Sequence, residues 1–386
     1  MIESIAVGAR PIQSAGSAAV EPSADLLTAA SVGDVDRRDN YLDYLSRHRE
    51  LSDTLRIDPS RRLRVRALDE EGNPLGNAEV ALADGHNREV HALTHADGWW
   101  DYHPGLNARA LQGNVRVTVT APGGGAHEST VTSFSGHGDG DTVVITLRGV
   151  RREAPRVLDL GFALDVTGSM GDELRYVNRE LDAIVRRVHA HAPDVLVRVG
   201  AVFYRDRGDR QPIQRIDFTP DIERFLGAMA AVSADGGGDY PEDMSAGLCS
   251  AMHDLSWSPR TDAARVLVLV ADAPPQEYPD APYTWRDALF DAARGGVRVL
   301  PVAASGADRT VEYIFRAMGA STSTPYVYLT DHSGIGNPHM DADTDRVAVE
   351  AFARLLERLV ISDLRGEGMH EPDAFGPRVT QAIAAR

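Results

Sequence analysis

The sequence predicts an α/β protein: a doubly wound, mostly parallel sheet preceded by a small antiparallel β-sandwich. Three observations carry this. Apolar runs alternate with helical patterns from residue 157 to about 362, the rhythm of strand–helix–strand crossovers. Val157–Leu164 and Arg265–Ala271 hold few polar residues, as strands buried on both faces of a parallel sheet do. From Arg62 to Leu147 the pattern changes to apolar–polar alternation between turn residues, which reads as short half-buried strands.

In chain order, residues 1–38 are rich in Ala, Ser, Gly and Pro and read as a disordered linker. Residues 39–60 place Tyr41, Leu42, Tyr44, Leu45 and Leu51 among charges, a short helical lead-in. The sandwich is expected over 61–149, with strands at Leu63–Leu68, Ala78–Leu82, Val115–Val119 and Val143–Leu147. Asp69–Pro74 supplies turn chemistry after the first of these. The doubly wound domain is expected over 157–364. Its strands are Val157–Leu164, Val195–Tyr204, Arg265–Ala271, Val297–Ala303 and Pro325–Leu329, with Ile213–Phe218 an antiparallel neighbour. Helices are expected from Leu174 to Val188, Ile222 to Val232, Asp243 to Leu255, Trp285 to Arg294, Val311 to Met318 and Val347 to Leu364. The polar tail over 365–386 reads as mobile.

The 386-residue length allows two or three domains. A net charge of -17 excludes nucleic acid as the main partner and an anionic membrane surface as a docking site. No run of eighteen apolar residues is present to span a bilayer. The start, MIESIAVGARPIQSAG, lacks a basic head and an apolar core, so no secretory signal is visible in it. The single Cys249 excludes an internal disulfide.

The first buried run ends in Asp165-Val166-Thr167-Gly168-Ser169, and a helical pattern follows at once. One carboxylate and two hydroxyls therefore sit where open α/β sheets bind ligands, beyond the carboxyl ends of the strands. Hard oxygen donors without thiol or imidazole suit Mg²⁺, Mn²⁺ or Ca²⁺. Further acids fall at other strand or loop ends. Asp206 lies in Tyr204-Arg205-Asp206-Arg207, Asp239 and Glu242 in Gly236-Gly237-Gly238-Asp239-Tyr240-Pro241-Glu242, and Asp272 before Ala273-Pro274-Pro275. Gathered acids repel one another unless a cation lies between them.

Asp165-x-Thr167-x-Ser169 resembles the D-x-S-x-S element of the metal-ion-dependent adhesion site in von Willebrand factor type A and integrin I domains. The segments around Asp206, Asp239 and Asp272 resemble a bacterial branch of the type A family. The resemblance implies a Rossmann-like fold and a divalent cation, Mg²⁺ or else Mn²⁺ or Ca²⁺. It implies that Thr167 and Ser169 hold the ion directly, and Asp165 and Asp239 directly or through water. One coordination position then stays open for an Asp or Glu side chain of a protein partner. The second loop departs from the integrin pattern, having no Ser or Thr from Tyr204 to Arg210. Asp206 stands there as a substitute ligand or as the partner of Arg205 or Arg207. Asp172 and Glu173 stand where integrin β domains place an adjacent ion, and Asp272 and Glu242 are expected in the outer shell. Arg62–Val80 with His95–Trp100 resembles the transthyretin-like, carboxypeptidase regulatory modules of bacterial proteins. Together these imply a non-catalytic, cation-dependent adhesion or scaffold module, leaning towards the bacterial surface or secretion.

Other readings fit less. Ser169, Asp272 and His332 follow the chain order of α/β-hydrolases, but Thr167 stands where the nucleophile elbow needs glycine. Acids beside Ser169 would also oppose an oxyanion. A nucleotide site lacks its glycine fingerprint, and a metal-dependent hydrolase lacks an obvious general base. A late segment holding Asp331, His332, His339 and Asp341 offers a second metal site or an ordinary polar loop.

Overall fold

A computed structural model describes residues 27–106, 110–111, 113–134, 142–238, 240–331, 339–345 and 347–371. The chain opens with strand β1 (Thr28–Val32) and helices α1 (Arg38–Arg47) and α2 (Arg49–Leu55). Seven short strands follow: β2 (Leu63–Leu68), β3 (Glu79–Asp84), β4 (Glu89–Leu93), β5 (Trp99–Tyr102), β6 (Asn114–Thr120), β7 (His127–Ser133) and β8 (Thr142–Thr146). Then come β9 (Val157–Asp165), a 3-10 turn at Gly168–Met170, α3 (Gly171–His191), β10 (Leu196–Tyr204), β11 (Ile213–Thr219), α4 (Ile222–Met229) and α5 (Met244–His253). The chain continues through β12 (Ala263–Ala271), α6 (Trp285–Gly295), β13 (Val297–Ala303), α7 (Arg309–Ser321), β14 (Tyr326–Thr330), β15 (Glu350–Ala351) and α8 (Phe352–Leu364).

The expected fold class is observed. The large sheet has the order β11-β10-β9-β12-β13-β14-β1-β15, parallel from β10 through β14 and antiparallel outside that span. β9 and β12 are buried at every position, as a strand covered by helices on both faces must be. One apolar layer packs α3, α4 and α8 on one face, around Phe162, Leu181 and Leu359. The other packs α1, α5, α6 and α7 on the opposite face, around Tyr44, Leu248 and Trp285. The smaller strands form a four-stranded antiparallel sheet, β4-β3-β6-β7, and a three-stranded sheet, β5-β2-β8, over one shared apolar cluster. The second of these is mixed rather than antiparallel, because β2 and β8 run parallel.

Four expectations need correction. The linker expected over 1–38 is not what residues 27–38 form, since Thr28–Val32 is a buried strand lying between β14 and β15; residues 1–26 lie outside the described residues. The strand's small residues Ala29, Ala30 and Ser31 carry little hydrophobic signal, yet small size is what a crowded sheet interior accepts. The strand is anchored by Asp34, whose carboxylate takes two hydrogen bonds from the buried Arg316 guanidinium at 2.5 and 2.9 Å. The two small sheets are therefore inserted into the larger domain rather than preceding it. The tail is also ordered as far as residue 371: Met369 is buried, His370 bonds Asp36 at 2.6 Å, and Glu371 pairs with Arg37 at 2.8 Å. The final helix begins at Phe352 instead of Val347, because Glu350–Ala351 pairs with β1.

The inserted sheets meet the large sheet at the amino ends of its parallel strands. Asn77 donates to the Ala263 carbonyl at 2.9 Å and accepts from Arg265 at 2.6 Å. Arg298 pairs with Asp97 at 2.8 Å and with Asp363 at 2.9 Å. The opposite pole, at the carboxyl ends of β9, β10 and β12, is left to the loops that carry the acids.

Candidate ion site

Asp165 is the last residue of β9 and lies beside Tyr204, the last of β10. Its carboxylate is fully buried. Oδ1 accepts from the Thr167 amide at 2.9 Å and from its hydroxyl at 2.7 Å, while Oδ2 has no hydrogen-bond partner. Burial, then the negative charge of Asp272, pushes the Asp165 carboxyl up to about 7. Thr167 is buried and lies 3.2 Å, oxygen to oxygen, from the hydroxyl of Ser169, which is exposed. A carboxylate oxygen and two hydroxyls thus occupy one turn, open to solvent through Ser169.

The glycine loop closes on this turn. The Asp235 amide donates to the Val166 carbonyl at 3.1 Å, and the Gly168 amide to the Gly236 carbonyl at 3.0 Å. Gly237 has φ 71, and a Cβ there would lie 2.8 Å from Glu242 Oε1 and 3.1 Å from Thr167 Cβ. Only glycine lets Glu242 stand against Thr167 in this way. Glu242 is 4% exposed and its Oε2 has no partner. Its backbone is fixed between loops, donating to the Pro274 carbonyl at 3.2 Å and accepting from the Gln276 amide at 2.7 Å. Burial, then the charges of Asp165, Asp206, Asp272 and Asp209, push the Glu242 carboxyl up to about 8. Glu242, expected in the outer shell, therefore stands beside the ligand turn itself. Asp272 is buried at the end of β12 and is the nearest acidic influence on Asp165.

Asp206 takes neither arginine suggested by the sequence. The phenol of Tyr278 donates to its Oδ1. Arg205 turns inward to the carbonyls of Ser233, Asp235 and Gln211 at 2.7, 3.0 and 3.1 Å. Arg207 stacks 3.9 Å over the Tyr278 ring and pairs with Asp280 at 2.9 Å and Asp243 at 3.4 Å. Tyr278 lies 72 residues from Asp206, and no local pattern announces the pairing. Asp239 lies outside the described residues, as do the side chains of Asp172 and Glu173 in the first turn of α3.

The donor set fits a hard divalent cation: buried carboxylate oxygens lacking donors, with hydroxyls adjacent. Among the described residues no three His, Cys, Asp or Glu side chains form a metal-holding group by themselves. In the late segment, Asp331 accepts from His339 Nδ1 and from its amide, both at 2.8 Å, and His332 lies outside the described residues.

Residues 159–280 match the von Willebrand factor A domain family, so the chain contains such a domain. No curated protein matches the sequence. Among solved structures, the chain is similar to proximal thread matrix protein 1 from the mussel byssus, at 16% identity over 44% of this chain and 40% of that one, with a TM-score of 0.34. A further structure of the mussel protein, described as having a zinc-occupied MIDAS motif, gives a TM-score of 0.35. The pilus adhesin SpaC from Lactobacillus rhamnosus GG is similar at 13% identity over 65% of this chain and 32% of that one, with a TM-score of 0.38. The chain thus spans less than half the length of either protein.

Proposed function

We propose that this chain is a non-catalytic protein-binding module, of the bacterial adhesion or scaffold kind, that works only with a divalent cation. The observation that carries the reading is the pair of partnerless, buried carboxylate oxygens, Asp165 Oδ2 and Glu242 Oε2, beside the hydroxyls of Thr167 and Ser169. Unpartnered buried carboxylates are costly, and two of them at one strand end are best relieved by a cation. Asp165, Thr167, Ser169 and Glu242 would hold it, with Asp239 completing the set and Mg²⁺ the preferred ion. A bound ion supplies a Lewis-acidic point that attracts a carboxylate from a protein partner. The residues around it then set its strength: each carboxylate the chain contributes neutralises the ion further and lowers its pull on an incoming acid. Asp206, held by Tyr278, stands back as a source of negative potential. The inserted sheets are read as a carboxypeptidase regulatory-like module at the far pole, orienting the site.

Differential scanning calorimetry of the whole chain with EDTA, Mg²⁺ or Mn²⁺ tests this. At an ion concentration a hundredfold above the dissociation constant the domain should gain about 2.7 kcal/mol. An unchanged melting temperature in saturating Mg²⁺ and Mn²⁺ would remove the proposal.

A further inference from the structure

A sizeable cavity lies away from the ion site, in the cleft where the inserted sheets meet α2 and α6. It encloses about 850 Å³, within the range of small-molecule sites. Trp100, Leu106, Leu289 and Phe290 supply its apolar wall, with Thr54 and Ser321 among the polar lining.

The charges around it are almost all committed. Glu277 pairs with Arg286 at 2.8 Å, and Arg286 also donates to the Leu55 carbonyl at 2.8 Å. Asp287 caps α6 by accepting from the Thr284 amide at 2.8 Å and hydroxyl at 2.7 Å. Asp101 takes Arg64 at 2.8 Å and the Ser323 hydroxyl at 2.5 Å. His103 is buried, and burial, then the charge of Arg38, holds its ring down at about 4, so it is neutral. Arg56 alone, among the charged side chains described in the lining, has neither an ion pair nor a hydrogen-bonded cap to hold it. It stands at φ 54, as the C-cap of α2, a left-handed position where glycine is the low-cost residue.

Two buried polar atoms on the same wall also lack partners, Trp100 Nε1 and His103 Nε2. His103 Nδ1 faces the Pro59 carbonyl at 3.1 Å, so Nδ1 carries the proton and Nε2 is an acceptor.

We propose that this cleft binds a small amphipathic acid, with an apolar, ring-sized body against Trp100 and Phe290 and one anionic head group on Arg56. The head group meets the single uncommitted charge, and the body displaces water from the aromatic wall.

The test titrates the whole chain, in EDTA, with 8-anilinonaphthalene-1-sulfonate and with uncharged 1-aminonaphthalene. One saturable site for the sulfonate is expected, with the uncharged probe about tenfold weaker. Arg56→Gly relieves the left-handed backbone, so it should melt no lower than wild type. It should weaken the sulfonate about tenfold and leave the uncharged probe unchanged. Ala293→Trp, which fills the cleft, should abolish both. Absence of saturable binding, full sulfonate affinity in Arg56→Gly, or full binding by a folded Ala293→Trp would each overturn the proposal. The last result would mean adventitious dye adsorption only.

Discussion

Burial raises the proton affinity of both Asp165 and Glu242; the charge of Asp272 adds to it at Asp165, and the charges of Asp165, Asp206 and Asp272 add to it at Glu242. Without an ion, both ionise at a cost. Glu242→Gln removes one of the two charges and keeps the shape, so in EDTA at pH 8 the variant should be more stable than wild type, by on the order of 2 kcal/mol. With saturating Mg²⁺ the order should reverse, because the ion has lost a carboxylate. Urea denaturation in both buffers checks it, and a variant less stable in EDTA would show that Glu242 is not a strained charge. Ser169 offers a second test. Its hydroxyl lies against that of Thr167 and close to Asp165, so a fluorophosphonate probe should not label it, and Ser169→Ala should lower Mn²⁺ affinity in titration calorimetry. Covalent labelling of Ser169 would restore the hydrolase reading. Asp165, Thr167 and Ser169 were legible in the sequence because one turn carries all three. Glu242 was legible only as an outer-shell candidate and Tyr278 not at all, because loop closure and not spacing sets the place of the one and brings the other to Asp206.

At the scale of elements, strands and helices could be read wherever an element buries large apolar residues in a regular period. β9, β12, α3 and α6 do so. β1 does not: its signal is small residues, and its stability comes from partners 294 to more than 300 residues away. Glu180 on α3 adds to this by accepting backbone hydrogen bonds from Leu27 and from Ala353 at the start of α8. It thereby ties together the strand, the final helix and the helix that begins at the ion site. The decisive clamp is Arg316, 2% exposed, between Asp34 and Glu312 and 3.6 Å over the Tyr44 ring. Asp34→Ala strands a buried guanidinium, which should cost about 3–5 kcal/mol in chemical denaturation. A loss below about 1 kcal/mol, the size of an exposed pair, would mean that β1 is not held by this contact. The same logic says that a fragment beginning at residue 157 lacks one strand of its own sheet.

At the scale of the whole molecule, the buried histidines and the buried carboxyls should respond to pH in opposite directions. His95 and His103 are buried at the inserted sheets and held down at about 3 and 4, chiefly by burial. The unfolded chain binds their protons first, so stability falls as pH drops from about 6.5 towards those values. Asp363, pushed up to about 6 by burial, and Asp165 and Glu242, at about 7 and 8, act the other way. The folded chain keeps protons that the unfolded chain has released, so stability falls as pH rises through the window between ordinary carboxylate values and those raised ones. Between about pH 4.5 and 6.5 the two trends oppose and nearly cancel. Above pH 6.5 the ion-site carboxyls titrate, and His370, raised by its bond to Asp36, loses its proton in the same direction. In EDTA the stability should therefore drop by about 1–3 kcal/mol between pH 6.5 and 8. Saturating Mg²⁺ should remove the part of that drop due to Asp165 and Glu242, since a cation favours the ionised carboxylates, and should leave the share of His370 and the acid limb below pH 4.5 where they were. Melting curves at half-unit pH steps in the two buffers measure both limbs. An alkaline limb that persists unchanged in Mg²⁺ would place its titrating groups elsewhere than at Asp165 and Glu242.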